Sequence, residues 1–157
     1  VVVCDLDRAR AVALADEIGA RVVQTDAWIG EPCDVFAPCA AGGVLEPSTI
    51  ASLRCRLVAG AANNQLRSPD DAALLAERGI TWVPDYVLNA GGVLKGAGLE
   101  LLGWSPDQVE ARVAGIGTIV ASLLERADRT GRTTLQVAED VVAERLADAA
   151  AARARHT

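Results

Sequence analysis

Carboxamide side chains are concentrated in two short segments of the sequence. Asn63, Asn64 and Gln65 stand together at the end of GAANNQ, residues 60–65, and Asn89 precedes a pair of glycines. A carboxamide offers hydrogen-bond donors and an acceptor without net charge, which suits orienting an amide, a ribose hydroxyl or a substrate amine. Asparagine also favours tight bends, so a purely structural turn explains residues 60–65 equally well.

Asp5 is the next candidate, because it directly follows an apolar run at residues 1–4. In a dinucleotide-binding fold, an acid at the end of a strand binds the hydroxyls of the adenosine ribose. Its charge favours NAD, since the 2′-phosphate of NADP would meet a like charge. The alternative is that Asp5 helps to cap the following helix, which Asp7 can also do. The glycine-rich phosphate turn expected about 20 residues before such an acid is not in the chain.

Small residues follow the third predicted strand, where Cys39, Ala40 and Ala41 precede two glycines. Such residues let a flat ring lie against the backbone, and glycine permits close approaches that a side chain would block. A tight turn between a strand and a helix is the more common explanation of this pattern. The functional interpretation gains weight because every candidate segment follows a predicted strand.

Five short apolar runs predict the strands that position these residues. They are residues 1–4, 21–23, 34–37, 56–59 and 80–83. Strands that alternate with helices at this spacing form a parallel sheet, and ligands bind at the carboxyl ends of its strands. The sequence therefore predicts an α/β fold with a Rossmann-like, doubly wound parallel sheet, incomplete at its N-terminus. This sheet part occupies about residues 1–92 of one domain fragment, residues 1–157.

A helical C-terminal extension is predicted over about residues 93–157. Asn89 is a candidate cap for the helix that follows the fifth strand, while Ser105 and Thr133 are spaced as the first residues of capping boxes. Each box starts a long helix. The residues predicted to face inward on these two helices are Val109, Val113, Ile116, Val120, Ala138, Val142, Leu146 and Ala149.

The composition argues against several classes of protein. Fifteen basic against twenty-one acidic side chains give a net charge of −6, which disfavours nucleic acid as a partner. No apolar run approaches the roughly 20 residues of a membrane span, and no signal peptide is recognisable, so a cytoplasmic location is expected. The four cysteines form no C-x-x-C pair and the single histidine, His156, lies in the tail, so no metal site is predicted.

Side chains for acid–base chemistry are scarce as well. With no histidine near the sheet, neither a Ser-His-Asp nor a Cys-His arrangement can form. Lys95, the only lysine, is predicted to be a solvent-exposed helix residue turned away from Val93 and Gly96. The chain contains no methionine and begins within a predicted core strand, which indicates a fragment of a longer protein.

Three segments resemble the leucine/phenylalanine/valine dehydrogenases in order and spacing. They are CAAGG at residues 39–43, GAANNQL at residues 60–66 and PDYVLNAGG at residues 84–92. The resemblance covers nearly the whole chain and corresponds to the C-terminal NAD-binding domain; LGWS, residues 102–105, is most similar to the phenylalanine-specific members. It implies reversible oxidative deamination of a hydrophobic L-amino acid (phenylalanine, leucine or valine) to its 2-oxo acid and ammonia, with hydride passing to NAD.

The resemblance also implies roles in cofactor binding. Asp5 is expected to bind the adenosine ribose, and Cys39 and Ala40 to lie along the cofactor near its nicotinamide. Asn64 and Asn89 are expected to orient the nicotinamide and the polar end of the substrate. The family's catalytic lysines and aspartate belong to an N-terminal domain that is absent here, so no catalytic residue is assigned and the chain alone is expected to be inactive. Its partners would be that domain and further copies in a homo-oligomer.

Val93 and Gly96 are implied to line the pocket for the substrate's side chain. At the position of Gly96, glutamate-specific relatives carry serine and leucine-specific ones carry valine. Glycine offers no hydroxyl and leaves extra room, which predicts a hydrophobic, bulky or aromatic substrate. The alternatives are a small branched amino acid or glutamate as the substrate, or a non-catalytic nucleotide-sensing module.

Overall fold

The computed structural model describes residues 1–155, which form five strands and eight helices. The strands are β1 (Val2–Val3), β2 (Arg21–Val22), β3 (Val35–Phe36), β4 (Leu57–Val58) and β5 (Thr81–Trp82). The helices are α1 (Arg8–Ile18), α2 (Pro47–Ser52), α3 (Asp71–Glu77), α4 (Asp85–Leu88), α5 (Gly91–Glu100), α6 (Pro106–Ala114), α7 (Ile116–Thr130) and α8 (Thr134–Ala154). His156 lies outside the described residues.

The strands pair in parallel, as the sequence predicts, and they do so in two sheets. β1 pairs with β2, while β4 lies between β3 and β5. The register places Val35 opposite Leu57 and Val58 opposite Trp82. Each strand lies where it is predicted but is only two residues long, and within residues 1–155 no strand joins β1 to β3. The Rossmann-like α/β class is confirmed, with its sheet in two parts.

Local sequence signals set the helix ends. The carboxylate of Asp7 accepts the backbone N–H groups of Ala9 and Arg10, and α1 ends at Gly19, whose φ of 68° is left-handed. Ser105 and Thr133 both form complete capping boxes, at the starts of α6 and α8. These predictions are confirmed because each cap depends only on side chains within about one helical turn.

Several predictions that depend on packing between helices are wrong. The single helix expected after Ser105 is two helices that meet at Gly115, and Val113 is exposed. On α8, burial is confined to Val137 and Ala138. The expected inward positions Val142, Leu146 and Ala149 are exposed, because nothing else in residues 1–155 packs over that face of the helix.

Asn89 does not cap the long helix after β5. A short helix that the sequence did not reveal, α4, comes first and ends at Asn89, whose backbone N–H bonds to the Asp85 carbonyl oxygen. The next helix, α5, begins at Gly91 behind Ala90, which makes no side-chain cap. The side chain of Asn89 is consequently available for contacts across the carboxyl end of the sheet.

Two clusters of buried side chains hold the sheet and the helices together. The larger one lies between the three-stranded sheet and helices α2 and α3, and Trp28 and Phe36 stack beside it with ring centroids 5.0 Å apart. The smaller one joins α7 to α8. No helix within residues 1–155 is both long and apolar enough to cross a membrane.

Candidate functional site

Three loop segments meet at the carboxyl ends of β3, β4 and β5. We call them the first (residues 38–43), second (residues 60–65) and third (residues 84–92) edge segments. The Ala62 N–H donates to the Pro38 carbonyl (2.9 Å) and the Gly43 N–H to the Asn64 carbonyl (2.7 Å), which joins the first two segments.

The second and third edge segments are joined by a side chain. The Asn64 N–H donates to Oδ2 of Asp85 at 2.7 Å. The structure thus brings together three of the four segments that the sequence singled out.

Glycines allow the first and second edge segments to touch. A Cβ atom on Gly60 would lie 2.2 Å from the carbonyl oxygen of Pro38, and one on Gly42 would lie 2.6 Å from that of Asn63. Both contacts are with backbone atoms, which cannot move aside as a flexible side chain can. These two glycines are therefore required by the close approach of two main chains.

The carboxamides of Asn63 and Asn89 face each other across the second and third edge segments. The Asn89 Nδ2 donates to Asn63 Oδ1 at 2.7 Å and to the Ala61 carbonyl at 3.4 Å. In the described part of the chain, the Asn63 Nδ2 group and Asn89 Oδ1 carry no hydrogen bond. The two side chains together therefore retain one donor group and one acceptor, and a primary amide has the complementary carbonyl oxygen and amino group.

Asn64 contributes through its backbone. Its side chain is exposed, and it is the one non-glycine residue with positive φ (53°) within residues 1–155. Asn63 was not singled out from the sequence as a site residue, although it belongs to the same carboxamide run. The placement of its side chain depends on how two loops cross, which no local pattern in the sequence indicates.

Gln65 is a structural part of the second edge segment. Its side chain is fully buried, and its Nε2 donates to the carbonyl oxygens of Gly60 (2.7 Å) and Ala62 (3.0 Å). Its Oε1 accepts the indole N–H of Trp82 at 3.0 Å. The carboxamide therefore holds the loop in shape from inside and fastens it to β5.

The other expected cofactor residues are placed without mutual side-chain contacts. Cys39 and Ala40 are exposed on the first edge segment. Asp5 is half-buried at the end of β1, in the other sheet, and its Oδ1 accepts the Asp7 N–H at 2.8 Å. This bond lies within the loop before α1, whose N-terminal cap is Asp7 and not Asp5, and it leaves Oδ2 of Asp5 for a second partner.

Helix α5 carries the two expected substrate-pocket residues. Val93 is 73% exposed, and a Cβ atom on Gly96 would meet nothing within 4 Å. Lys95 is exposed, as predicted. The helix is anchored by Trp104, whose ring lies against Gly98 and under the Arg112 guanidinium, 4.0 Å from the ring centroid.

Trp82 of β5 lines two cavities of different size. The smaller, about 170 Å³, adjoins the Asn64–Asp85 contact and is also lined by Tyr86 and Glu139. Burial, reinforced by the charges of Glu139 and Asp85, raises the pKa of the Tyr86 hydroxyl. The larger cavity, about 460 Å³, lies at the opposite end of β5, away from the edge segments. Within residues 1–155 no group of three or more His, Cys, Asp or Glu side chains is placed to hold a metal ion.

The sequence of residues 5–154 matches the Glutamate/Leucine/Phenylalanine/Valine dehydrogenase family. The chain belongs to this family. The match takes in all three edge segments and nearly the whole chain, so the resemblance inferred from residues 39–43, 60–66 and 84–92 is confirmed.

Individual relatives in the dehydrogenase family are amino-acid dehydrogenases. The chain is 38% identical over 146 residues to leucine dehydrogenase of Thermoactinomyces intermedius, covering 93% of this chain and 40% of the relative. It is 38% identical over 146 residues to phenylalanine dehydrogenase of the same organism, covering 92% of this chain and 40% of the relative. The crystal structure of L-tryptophan dehydrogenase from Nostoc punctiforme matches with a TM-score of 0.89 at 34% identity, over 94% of this chain and 44% of that one.

The chain thus spans less than half the length of the dehydrogenases that it matches. Leucine and phenylalanine dehydrogenase match at equal identity, so similarity along the chain does not separate the two substrate classes. The roles of Asp5, Cys39, Ala40, Asn64 and Asn89 stay predictions.

Proposed function

We propose that this chain is the nucleotide-binding part of an NAD-dependent dehydrogenase that reversibly deaminates a hydrophobic L-amino acid to its 2-oxo acid and ammonia. The observation that carries the proposal is the Asn63–Asn89 pair, which presents a donor and an acceptor at the carboxyl edge of the sheet. The carboxamide of nicotinamide has the complementary acceptor and donor. Membership of a family of amino-acid dehydrogenases supports the choice of reaction.

The residues present fit both ends of NAD. At the nicotinamide end, Asn63 and Asn89 would hold the carboxamide, with Asn64 shaping the turn and the exposed Cys39 and Ala40 alongside. At the adenosine end, Asp5 would accept hydrogen bonds from the ribose through Oδ2, and its negative charge disfavours the 2′-phosphate of NADP. When bound, NAD supplies a hydride acceptor.

The proposed substrate is hydrophobic, because the two α5 residues expected to line its pocket offer no polar group. Val93 presents an exposed apolar side chain, and Gly96 leaves open space around its Cα atom. A distal carboxylate, as in glutamate, would find no hydroxyl or cation from Val93 or Gly96. Similarity to both leucine and phenylalanine dehydrogenases agrees with a branched or an aromatic side chain.

We further propose that the working enzyme includes an N-terminal domain with the catalytic lysines, and that it functions as a homo-oligomer in the cytoplasm. The share of its relatives that the chain spans, 40%, supports the further domain, and the sheet supports a further strand. In the common doubly wound order, the first strand lies in the middle, with the second and third on one side and the fourth to sixth on the other. The β1–β2 and β3–β4–β5 sheets match those two sides, which leaves a place for one earlier strand between β1 and β3.

The test is NADH binding to the full-length protein, followed by deamination assays with phenylalanine, leucine, valine and glutamate. Turnover of hydrophobic amino acids with NAD, and a higher kcat/KM on phenylalanine than on glutamate, is the expected result. Tight NADH binding without any turnover would favour the nucleotide-sensing module instead. Replacing Asn63 or Asn89 by alanine should weaken NADH binding about fivefold, the equivalent of one ordinary hydrogen bond. Ser122→Ala, on the exposed side of α7, is the control and should not change it.

A further inference from the structure

Asp85 is a buried carboxylate that no expected role accounts for. It follows Pro84 directly after β5, is only 8% exposed, and opens the short helix α4. Its Oδ2 accepts the Asn64 N–H at 2.7 Å. A buried ionised group is costly unless hydrogen bonds compensate it, so this contact is an integral part of the loop arrangement.

The bond holds a left-handed backbone conformation beside the candidate site. Asn64 has a φ of 53°, in the left-handed region that non-glycine residues seldom occupy. Its N–H is held by Asp85 and its carbonyl oxygen by the Gly43 N–H, both at 2.7 Å. Hydrogen bonds therefore hold both backbone groups of Asn64, its N–H and its carbonyl oxygen.

The held turn directly follows Asn63, whose side chain belongs to the carboxamide pair. Asn63 immediately precedes Asn64, and Gly42 packs against the Asn63 carbonyl so closely that a Cβ atom there would lie only 2.6 Å away. The turn therefore packs closely against the first edge segment. On the other side, Asp85 lies four residues before Asn89, the hydrogen-bond partner of Asn63.

We propose that Asp85 is a positioning residue that sets the geometry of the Asn63–Asn89 pair and thereby the binding of the nicotinamide end of the cofactor. This inference rests on the proposed function. Asp85 does not touch the cofactor and acts through the backbone of Asn64. Its loss should therefore weaken recognition of nicotinamide and leave recognition of the adenosine end, around Asp5, unchanged.

The experiment compares two ligands on the full-length protein, NADH and ADP-ribose, which lacks the nicotinamide. Asp85→Ala should raise the Kd for NADH about tenfold or more, as expected for the loss of a hydrogen bond to a charged group. The Kd for ADP-ribose should stay within about twofold of the wild-type value, since a remote end should respond independently. Asp85→Asn retains an acceptor oxygen without the charge and should give an intermediate NADH affinity.

Asp71→Ala is the matched control. Asp71 is also a buried aspartate, 4% exposed, whose Oδ2 accepts a backbone N–H (that of Ser68) at 2.8 Å, and it has no contact with the Asn63–Asn89 pair. The Asp71→Ala substitution should lower the free energy of unfolding without changing the ratio of the Kd for NADH to the Kd for ADP-ribose.

The outcomes separate the two proposals. A wild-type protein that does not bind NADH overturns the proposed function, and the positioning role with it. A wild-type protein that binds NADH, with an Asp85→Ala variant whose two Kd values rise together or not at all, overturns only the positioning role. If Asp85→Ala does not fold, Asp85→Asn decides, because an unchanged ratio of Kd values there contradicts the proposal equally.

Discussion

Replacing Gly98 by alanine should destabilise the protein, even though alanine is the better helix former. A Cβ atom on Gly98 would lie 2.4 Å from Cε3 of Trp104 and 3.1 Å from its Cζ3. The ring cannot rotate away freely, because Arg112 stacks on it 4.0 Å from the centroid. The absence of a side chain at Gly98 thus allows α5 to pack against the Trp104 ring and α6.

The magnitude follows from two opposing effects. Alanine stabilises a helix interior by roughly 0.5–1 kcal/mol relative to glycine. Overpacking a well-filled contact costs roughly 1–3 kcal/mol, and displacing Arg112 from the ring adds about 0.5–1 kcal/mol. We expect the Gly98→Ala variant to be about 1–2 kcal/mol less stable than wild type, while Gly96→Ala, in the same helix with open space around it, gains about 0.5–1 kcal/mol.

Urea unfolding of the two single variants measures the difference. The midpoints should differ by roughly 1 M, given a typical slope of about 1–3 kcal/mol per M. In a Trp104→Ala background, which removes the ring, Gly98→Ala should become stabilising. Equal stability of Gly98→Ala and Gly96→Ala in the wild-type background would refute this account of the contact.

Two further predictions concern the edge segments and the α7–α8 pair. Gly60→Ala should be more damaging than Gly98→Ala, because its Cβ atom would meet the Pro38 backbone at 2.2 Å; a soluble variant with wild-type NADH affinity would contradict this. Glu144 accepts two hydrogen bonds from Arg126, which lower its pKa below the ordinary 4.5. Its contribution to stability is therefore complete above about pH 5 and is lost as the pH falls through the lowered pKa. The difference in unfolding free energy between wild type and Glu144→Gln should shrink between about pH 5 and pH 3, and a pH-independent difference would exclude the mechanism.

Sequence patterns predicted those parts of the fold that local interactions determine. The caps at Asp7, Ser105 and Thr133 are confirmed because their partners lie within a few residues. Strand positions were predictable from short apolar runs, although every strand includes a residue that is not fully buried. The first run, expected to be a core strand, is exposed at Val1 and Val2. The exposed positions on α8, Val142 and Leu146, show where periodicity alone misleads, because a helical stripe does not reveal whether anything covers it.

The candidate site was predictable in location but not in detail. Four segments after strands were expected on one edge of one sheet; three of them meet, because the carboxyl ends of parallel strands share one edge, whereas Asp5 follows a strand of the other sheet. Asn64 and Asn89 were the carboxamides expected to orient the nicotinamide and the substrate, and the structure adds Asn63, whose side chain bonds to that of Asn89. The importance of Asp85 and Gln65 depends on hydrogen bonds across 21 and 17 residues of sequence, to Asn64 and Trp82, which no local spacing rule encodes.

The first and second edge segments are fastened to each other by main-chain hydrogen bonds, with no side chain involved. Substitutions at Cys39, Ala40 or Ala61, all exposed, should therefore leave these joints intact. Gly42 and Gly60 cannot be substituted in this way, because a Cβ atom at either position would clash with the backbone of the other segment. Substitutions at the exposed positions can thus accumulate without loss of the hydrogen bonds between the two segments. A library of variants at these positions would therefore sample new ligand preferences with little loss of stability.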